Sequence, residues 1–121
     1  MRLCEYYDGR DNMDRNLREE VNDLHASICK ALSDPRRILL LYALAEEDRN
    51  VSQLAELTDA PQPVVSRHLQ TLHKQGMVTR MRDGAEVIYS LADKRVIEAL
   101  GLLRAFLADR LVAQAQLADV L

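Results

Sequence analysis

The chain has 121 residues, 48% hydrophobic and 29% charged, with 16 basic against 19 acidic side chains and a formal net charge of -3. That length is one domain able to bury about two-thirds of its unfolded surface without metal or disulfide staples, and the composition excludes general disorder. No apolar run approaches the ~18 residues of a membrane span, the start lacks a signal peptide, and two cysteines cannot build a secreted disulfide framework, so a cytoplasmic protein is expected.

Residues 1–10 are read as a flexible polar arm and 11–121 as the folded domain. Asp11 to Leu32 predicts a first helix, because Leu17, Val21, Leu24, Ile28 and Ala31 recur at spacings of three and four. Ser33-Asp34-Pro35 stops it and starts the next, with Pro35 suited to a first helical position. The second helix runs to Glu46. Its Ile38-Leu39-Leu40-Leu41 is apolar nearly all round, which predicts the most buried helix. Asn50-Val51-Ser52-Gln53 fits a capping box opening a third helix to Leu57, with Leu54 and Leu57 facing inward. Thr58-Asp59-Ala60-Pro61 turns into a fourth, Gln62 to Gln75, with a core stripe of Val65, Leu69 and Leu72 and Gly76 at its end. Two alternating runs, Met77–Arg82 and Glu86–Leu91, flank the turn dipeptide Asp83-Gly84 and predict a hairpin. A final helix covers 93–118, with Val96, Leu100, Leu103, Leu107 and Leu111 on one face. The expected class is mainly α with a β-hairpin wing, ordered α-α-α-α-β-β-α.

A negative total charge argues against a nucleic-acid partner, since phosphate binding rests on basic surface. Resolved along the chain it reads otherwise. Residues 1–30 carry -2, 31–60 carry -3, 61–82 carry +4 and 83–121 carry -2. The window Pro61 to Arg82 holds Arg67, Lys74, Arg80 and Arg82 with His68 and His73 and no acid. It coincides with the second helix of a helix-turn-helix and the first strand of the wing, the parts that enter a groove and approach the backbone in winged helices. Gln62, Val64, Ser66, Arg67, His68 and Gln70 on the fourth helix, and Arg80, Arg82 and Gly84 on the wing, are therefore the candidate DNA-facing residues. Arginine reads guanine bidentately and glutamine reads adenine, whereas a histidine beside a core stripe is as often a packing residue.

Ala31-Leu32-Ser33-Asp34-Pro35-Arg36-Arg37-Ile38, Leu54-Ala55, Val65-Ser66-Arg67-His68-Leu69, Leu72, Gly76-Met77-Val78, and Asp83-Gly84 with Val87-Ile88-Tyr89-Ser90-Leu91 together resemble the ArsR/SmtB family of bacterial winged-helix repressors. The resemblance covers about Ala31 to Leu91. It implies a homodimer that binds an inverted repeat of double-stranded DNA and lets go when an inducer binds. The long apolar stripes of the first and last helices, 11–32 and 93–118, agree with dimerisation through those two helices. Several positions depart from the family. Metal sensors place cysteines where Asn50 and Ser52 stand. Zinc sensors use a carboxylate and imidazoles at the positions of Asp93, Arg95, Phe106 and Asp109, and phenylalanine cannot ligate. No metal site and no cofactor is expected. Pro61 and Pro63 replace common serines, which is tolerable in a first helical turn, and Ala85 stands where the wing tip often has arginine.

The remaining sensor candidates are Cys4, Cys29 and His25, the last two four residues apart on the first helix. A disulfide or polysulfide bridge between Cys4 and Cys29, within or between chains, would make a thiol switch. Binding of a soft metal or an arsenite-type species by the same cysteines is the alternative. Against both stands Cys29 as a small packing residue. An enzyme is excluded by the absence of a glycine-rich phosphate loop, and Ser66 and His68, two apart on a helix, point in different directions. A winged-helix protein-interaction adaptor would carry acids on its fourth helix, and this one has none.

Overall fold

A computed structural model of the chain describes residues 13–120, with side chains over 15–119. The expected arm at 1–10, and Cys4 with it, lie outside the described residues. The first helical stretch opens with a wide π-helical segment, Met13–Leu17, continues as helix α1, Arg18–Asp23, and widens again over Leu24–Cys29. The stretch ends at Ala31. Helix α2, Pro35–Glu46, follows at once: Asp34 lies in extended backbone and accepts the Arg36 amide at 2.8 Å, with Pro35 at the first helical position.

The polar break after α2 is more than a loop. Arg49–Asn50 forms a short strand, β1, paired antiparallel to Tyr89 and Ile88 of strand β3, so the wing belongs to a three-stranded sheet in the order β1-β3-β2. The expected order, which lacked this strand, is corrected to α-α-β-α-α-β-β-α. Helix α3, Val51–Thr58, starts from the predicted capping box: the Gln53 amide donates to Asn50 Oδ1 at 2.8 Å and the Asn50 amide to Gln53 Oε1 at 2.9 Å. Asn50 Nδ2 also donates to Glu86 Oε1 at 3.0 Å, tying the start of α3 to the wing.

Asp59 closes α3 in the left-handed region at φ 53, which a short polar side chain tolerates, and the chain passes through Pro61 into helix α4, Gln62–Lys74. Gly76 ends α4 at φ 74, a conformation that favours glycine. Strands β2, Val78–Asp83, and β3, Glu86–Leu91, pair from Val78 with Leu91 to Asp83 with Glu86, leaving Gly84 and Ala85 at the tip with Gly84 at φ 64. Helix α5 runs Lys94–Val120.

The core gathers Ala31, Leu40, Leu41, Leu44, Leu54, Ala55, Val65, Leu69, Leu72, Met77, Val78, Tyr89 and Leu100. Two expectations about it are corrected. Leu57 is 53% exposed, because the inward face of α3 is formed by Val51, Leu54, Ala55 and Thr58, about 110° round the helix from Leu57. Leu39 is 55% exposed: α2 buries only Leu40, Leu41 and Leu44, the same number of residues as α4. Among the described residues, no helix is long and apolar enough to cross a membrane.

Only the beginning of α5 meets this core. Leu100 is buried and Val96 and Ile97 pack partly against the core, and Arg104 lies over the Tyr42 ring at 5.1 Å from its centroid. At 1.5 Å per residue the 27-residue helix is about 40 Å long. Its Leu102, Leu103, Phe106, Leu107, Leu111, Val112 and Leu117 are all more than half exposed, as is about half of Val21 and Leu24 on the first stretch. Between these two elements runs an apolar groove of about 510 Å³, lined by Leu24, Ile28, Leu32, Val96, Ala99, Leu100 and Leu103, with Asp93 and Arg95 at one end.

Candidate nucleic-acid interface

Helical geometry decides what α4 shows to solvent. Val65, Leu69 and Leu72 pin one face to the core, so the opposite face carries Pro63, Arg67, Gln70 and Lys74, all exposed. Gln62 is exposed at the helix start, while Val64 and Ser66 are half-buried on its flanks. Lys74 was absent from the set inferred from sequence. Its spacing of seven from Arg67 puts it two turns along the same face, and that spacing was the available signal.

Strand alternation orders the wing in the same way. Arg80 and Arg82, two apart on β2, share one face of the hairpin with Tyr89 and Val87 as their cross-strand partners, and both arginines are exposed. Met81 lies on the other face and is exposed too. Gly84 sits at the exposed tip. The acid-free window therefore folds into two exposed basic surfaces, one helical and one on the hairpin, that follow each other directly in the chain.

His68 is placed differently from its neighbours. Its side chain is 15% exposed and turned toward the start of α2, where Nδ1 lies 3.2 Å from Arg37 Nη1 and Nε2 3.8 Å from Asp34 Oδ2. Burial holds the imidazole below its ordinary pKa, and the charges of Arg37, Arg36 and Arg67 push the same way against the opposing pull of Asp34. A group with a lowered folded pKa contributes stability above its unfolded value, near 6.5, that is lost as pH falls toward the folded value. A titration of the His68 ring followed by NMR is expected to give a midpoint below 6.5. A midpoint above it would mean that the Asp34 carboxylate outweighs burial.

Of the sensor candidates, His25 and Cys29 lie on the first helical stretch. Cys29 is a free, exposed thiol in the second π-helical segment and His25 is exposed in the same segment. Among the described residues no three His, Cys, Asp or Glu side chains are grouped to hold a metal ion. At the positions used by zinc sensors, Asp93 is already engaged: it accepts the Arg95 amide at 2.8 Å and the Arg95 guanidinium at 2.8 Å, and these bonds hold its carboxyl at a pKa of about 2.

The pair α3 and α4 joined by a tight turn, the hairpin that follows, and the exposed basic residues on both define a winged helix-turn-helix of the DNA-regulator class. Comparison with known proteins carries this further. The family described as "Bacterial regulatory protein, arsR family" matches residues 34–80. The transcriptional repressor SmtB of Mycobacterium tuberculosis is 42% identical over 74 residues, 61% of this chain and 55% of the repressor, so the match spans little more than half that relative's length. The crystal structure of Mycobacterium tuberculosis Rv0081 superposes with a TM-score of 0.71 at 33% identity, covering 78% of this chain and 96% of that one. The solution structure of a homodimeric winged helix-turn-helix DNA-binding domain from Mycobacterium bovis has a TM-score of 0.67 at 28% identity, with 87% and 94% covered. The chain belongs to the ArsR family of transcriptional regulators.

Proposed function

We propose that the protein is a DNA-binding repressor that sits as a homodimer on an inverted-repeat operator, α4 of each chain entering a major groove and each wing gripping the adjacent backbone. The observation that carries this is the concentration of exposed basic side chains on α4 and β2, within the acid-free window 61–82, in a chain whose net charge is -3. Phosphate affinity then comes from one face only, which makes binding steeply dependent on salt. The exposed apolar stripe of α5 and the groove beside it support pairing of two chains, as does the homodimeric Mycobacterium bovis relative.

Arg67 is assigned to a base edge and Arg82 to phosphate. Arg67→Ala is expected to weaken binding to the operator by about 1–3 kcal/mol and to relax sequence preference. Arg82→Ala is expected to weaken all sequences alike and to reduce the slope of log affinity against log salt by about one. Titration of DNA from upstream of the protein's own gene, at several salt concentrations, checks both. Equal small losses from the two variants would sink the assignment, and no binding by the unaltered protein would favour an adaptor that works through protein contacts.

The signal that releases DNA is assigned to thiol chemistry at Cys4 and Cys29. The exposure of Cys29 supports it, since a redox-responsive thiol must be reachable. A disulfide forms when the two thiols give up two electrons and two protons to an oxidant such as a peroxide. Counting titratable thiols before and after mild oxidation is expected to show the loss of two per chain, with weaker DNA binding. Replacing both cysteines by serine should abolish that response while leaving reduced-state affinity intact. An unchanged response in the double variant removes thiol sensing and leaves the DNA-binding reading standing.

A further inference from the structure

The corner where the first helical stretch meets α2 holds an arginine with bonds in three directions. Arg37 donates from Nε to the Ala31 carbonyl and from Nη2 to the Lys30 carbonyl at 3.2 Å, and its Nη1 reaches His68 Nδ1 on α4 at 3.2 Å. Lys30 and Ala31 end the stretch that carries His25 and Cys29, and Arg37 shares the Lys30 carbonyl with the Ser33 hydroxyl, at 2.6 Å, and the Ser33 amide, at 3.2 Å. Arginine offers only donors, so Nδ1 must be the unprotonated, accepting nitrogen of His68, and the hydrogen of the neutral ring sits on Nε2, toward Asp34. One planar fork therefore bridges the end of the first helical stretch and the helix that presents Arg67.

The rest of the hold on α4 is apolar. Val65, Leu69 and Leu72 bury against the core and set which face of the helix points inward. His68 lies at the border of that stripe, next in sequence to Arg67. A directional bond there adds a polar tie from the end of the first helical stretch to the helix whose outer face carries Arg67, Gln70 and Lys74. Because the guanidinium is rigid, displacement of Lys30 and Ala31 tilts the whole fork and strains or breaks the bond to His68.

We propose that Arg37 is a positioning residue that couples the end of the first helical stretch to the recognition helix through His68, so that movement of the Cys29 segment re-aims α4. The proposal rests on α4 being the DNA-reading helix, but the link itself needs no DNA, and the test separates the two. In amide NMR spectra without DNA, His68→Leu should shift the signals of Leu32 and Ser33, beyond the helix end, in the unaltered background and leave them in place in an Arg37→Met background. On operator DNA, Arg37→Met and His68→Leu should each weaken binding about tenfold, with the double variant no worse than either. His68→Asn, whose Oδ1 is bonded to Cγ as Nδ1 is and can accept in its place, should stay within about twofold of the parent. If Arg37→Met does not fold, Arg37→Lys replaces it in both comparisons, keeping the charge without the fork. Additive losses on DNA, or helix-end signals that ignore His68, overturn the coupling. If the parent protein binds no DNA, the DNA reading fails and the spectra alone decide the link.

Discussion

The double variant Leu103→Glu, Phe106→Glu is expected to stay folded, to separate into single chains of 13.8 kDa, and to lose operator affinity by about 10²- to 10⁴-fold. The two side chains are each 62% exposed in the single chain, so charge at these positions leaves no buried ion and disturbs the monomer little. In a dimer that covers α5, the same four glutamates across two chains would be desolvated and would repel one another. The loss on DNA follows from geometry: a dimer that has docked one recognition helix presents the second to its half-site at high effective concentration, and a single chain has no such second attempt. Sedimentation equilibrium and DNA titration on the same samples check it. A variant that remains dimeric would place the interface elsewhere, and a monomer with undiminished affinity would remove the inverted repeat from the proposal.

Leu69→Ala is expected to destabilise the fold by about 2–5 kcal/mol. Leu69 is fully buried on α4 and packs in the cluster that includes Leu41, Leu54 and Leu72. Truncation removes apolar contact from α3 and α4 together and leaves a cavity that a rigid corner cannot collapse around. Thermal unfolding at a fixed chain concentration should move down by about 10 °C or more, the fixed concentration being needed because dimerisation itself contributes to stability. Leu57→Ala is the control. At 53% exposure it has little contact to lose and should stay within about 0.5 kcal/mol of the parent. A large loss at Leu57 with a small one at Leu69 would reverse the assignment of inward and outward faces on these helices.

Local signals were legible where the chemistry is local. The Asn50 capping box, Pro35 at the head of α2 and Gly76 past the end of α4 each depend on residues within a few positions and appear where the pattern put them, while the wing turn falls one residue later than Asp83-Gly84, on Gly84 and Ala85. Strand β1 was not legible. Its two residues have no alternation of their own, and they become a strand because β3, almost 40 residues later, offers its free edge. Leu57 was misplaced because spacing of three from Leu54 fits a helical stripe, while the true inward face is set by Ala55 and Thr58, which apolar patterning underweights.

The candidate interface divides in the same manner. Arg67, Gln70, Arg80 and Arg82 could be named from the acid-free window and the core stripe, and the structure leaves all four exposed. His68 stands beside Arg67 in the same window, yet its ring is turned inward, toward Asp34 and Arg37, more than thirty residues away. Capping, turn chemistry and periodicity act over one or two turns, which is why the family of the fold, the ends of its main helices and the segregation of charge could be read from the residues in order. Which apolar residues are core and which stay exposed, that the wing is tied to α3 through Asn50 and Glu86, and that Arg37 joins the first helical stretch to α4 emerge only once the chain is folded. Those outcomes depend on which distant groups meet in space, and a buried donor or apolar face is satisfied by whatever partner the fold brings to it.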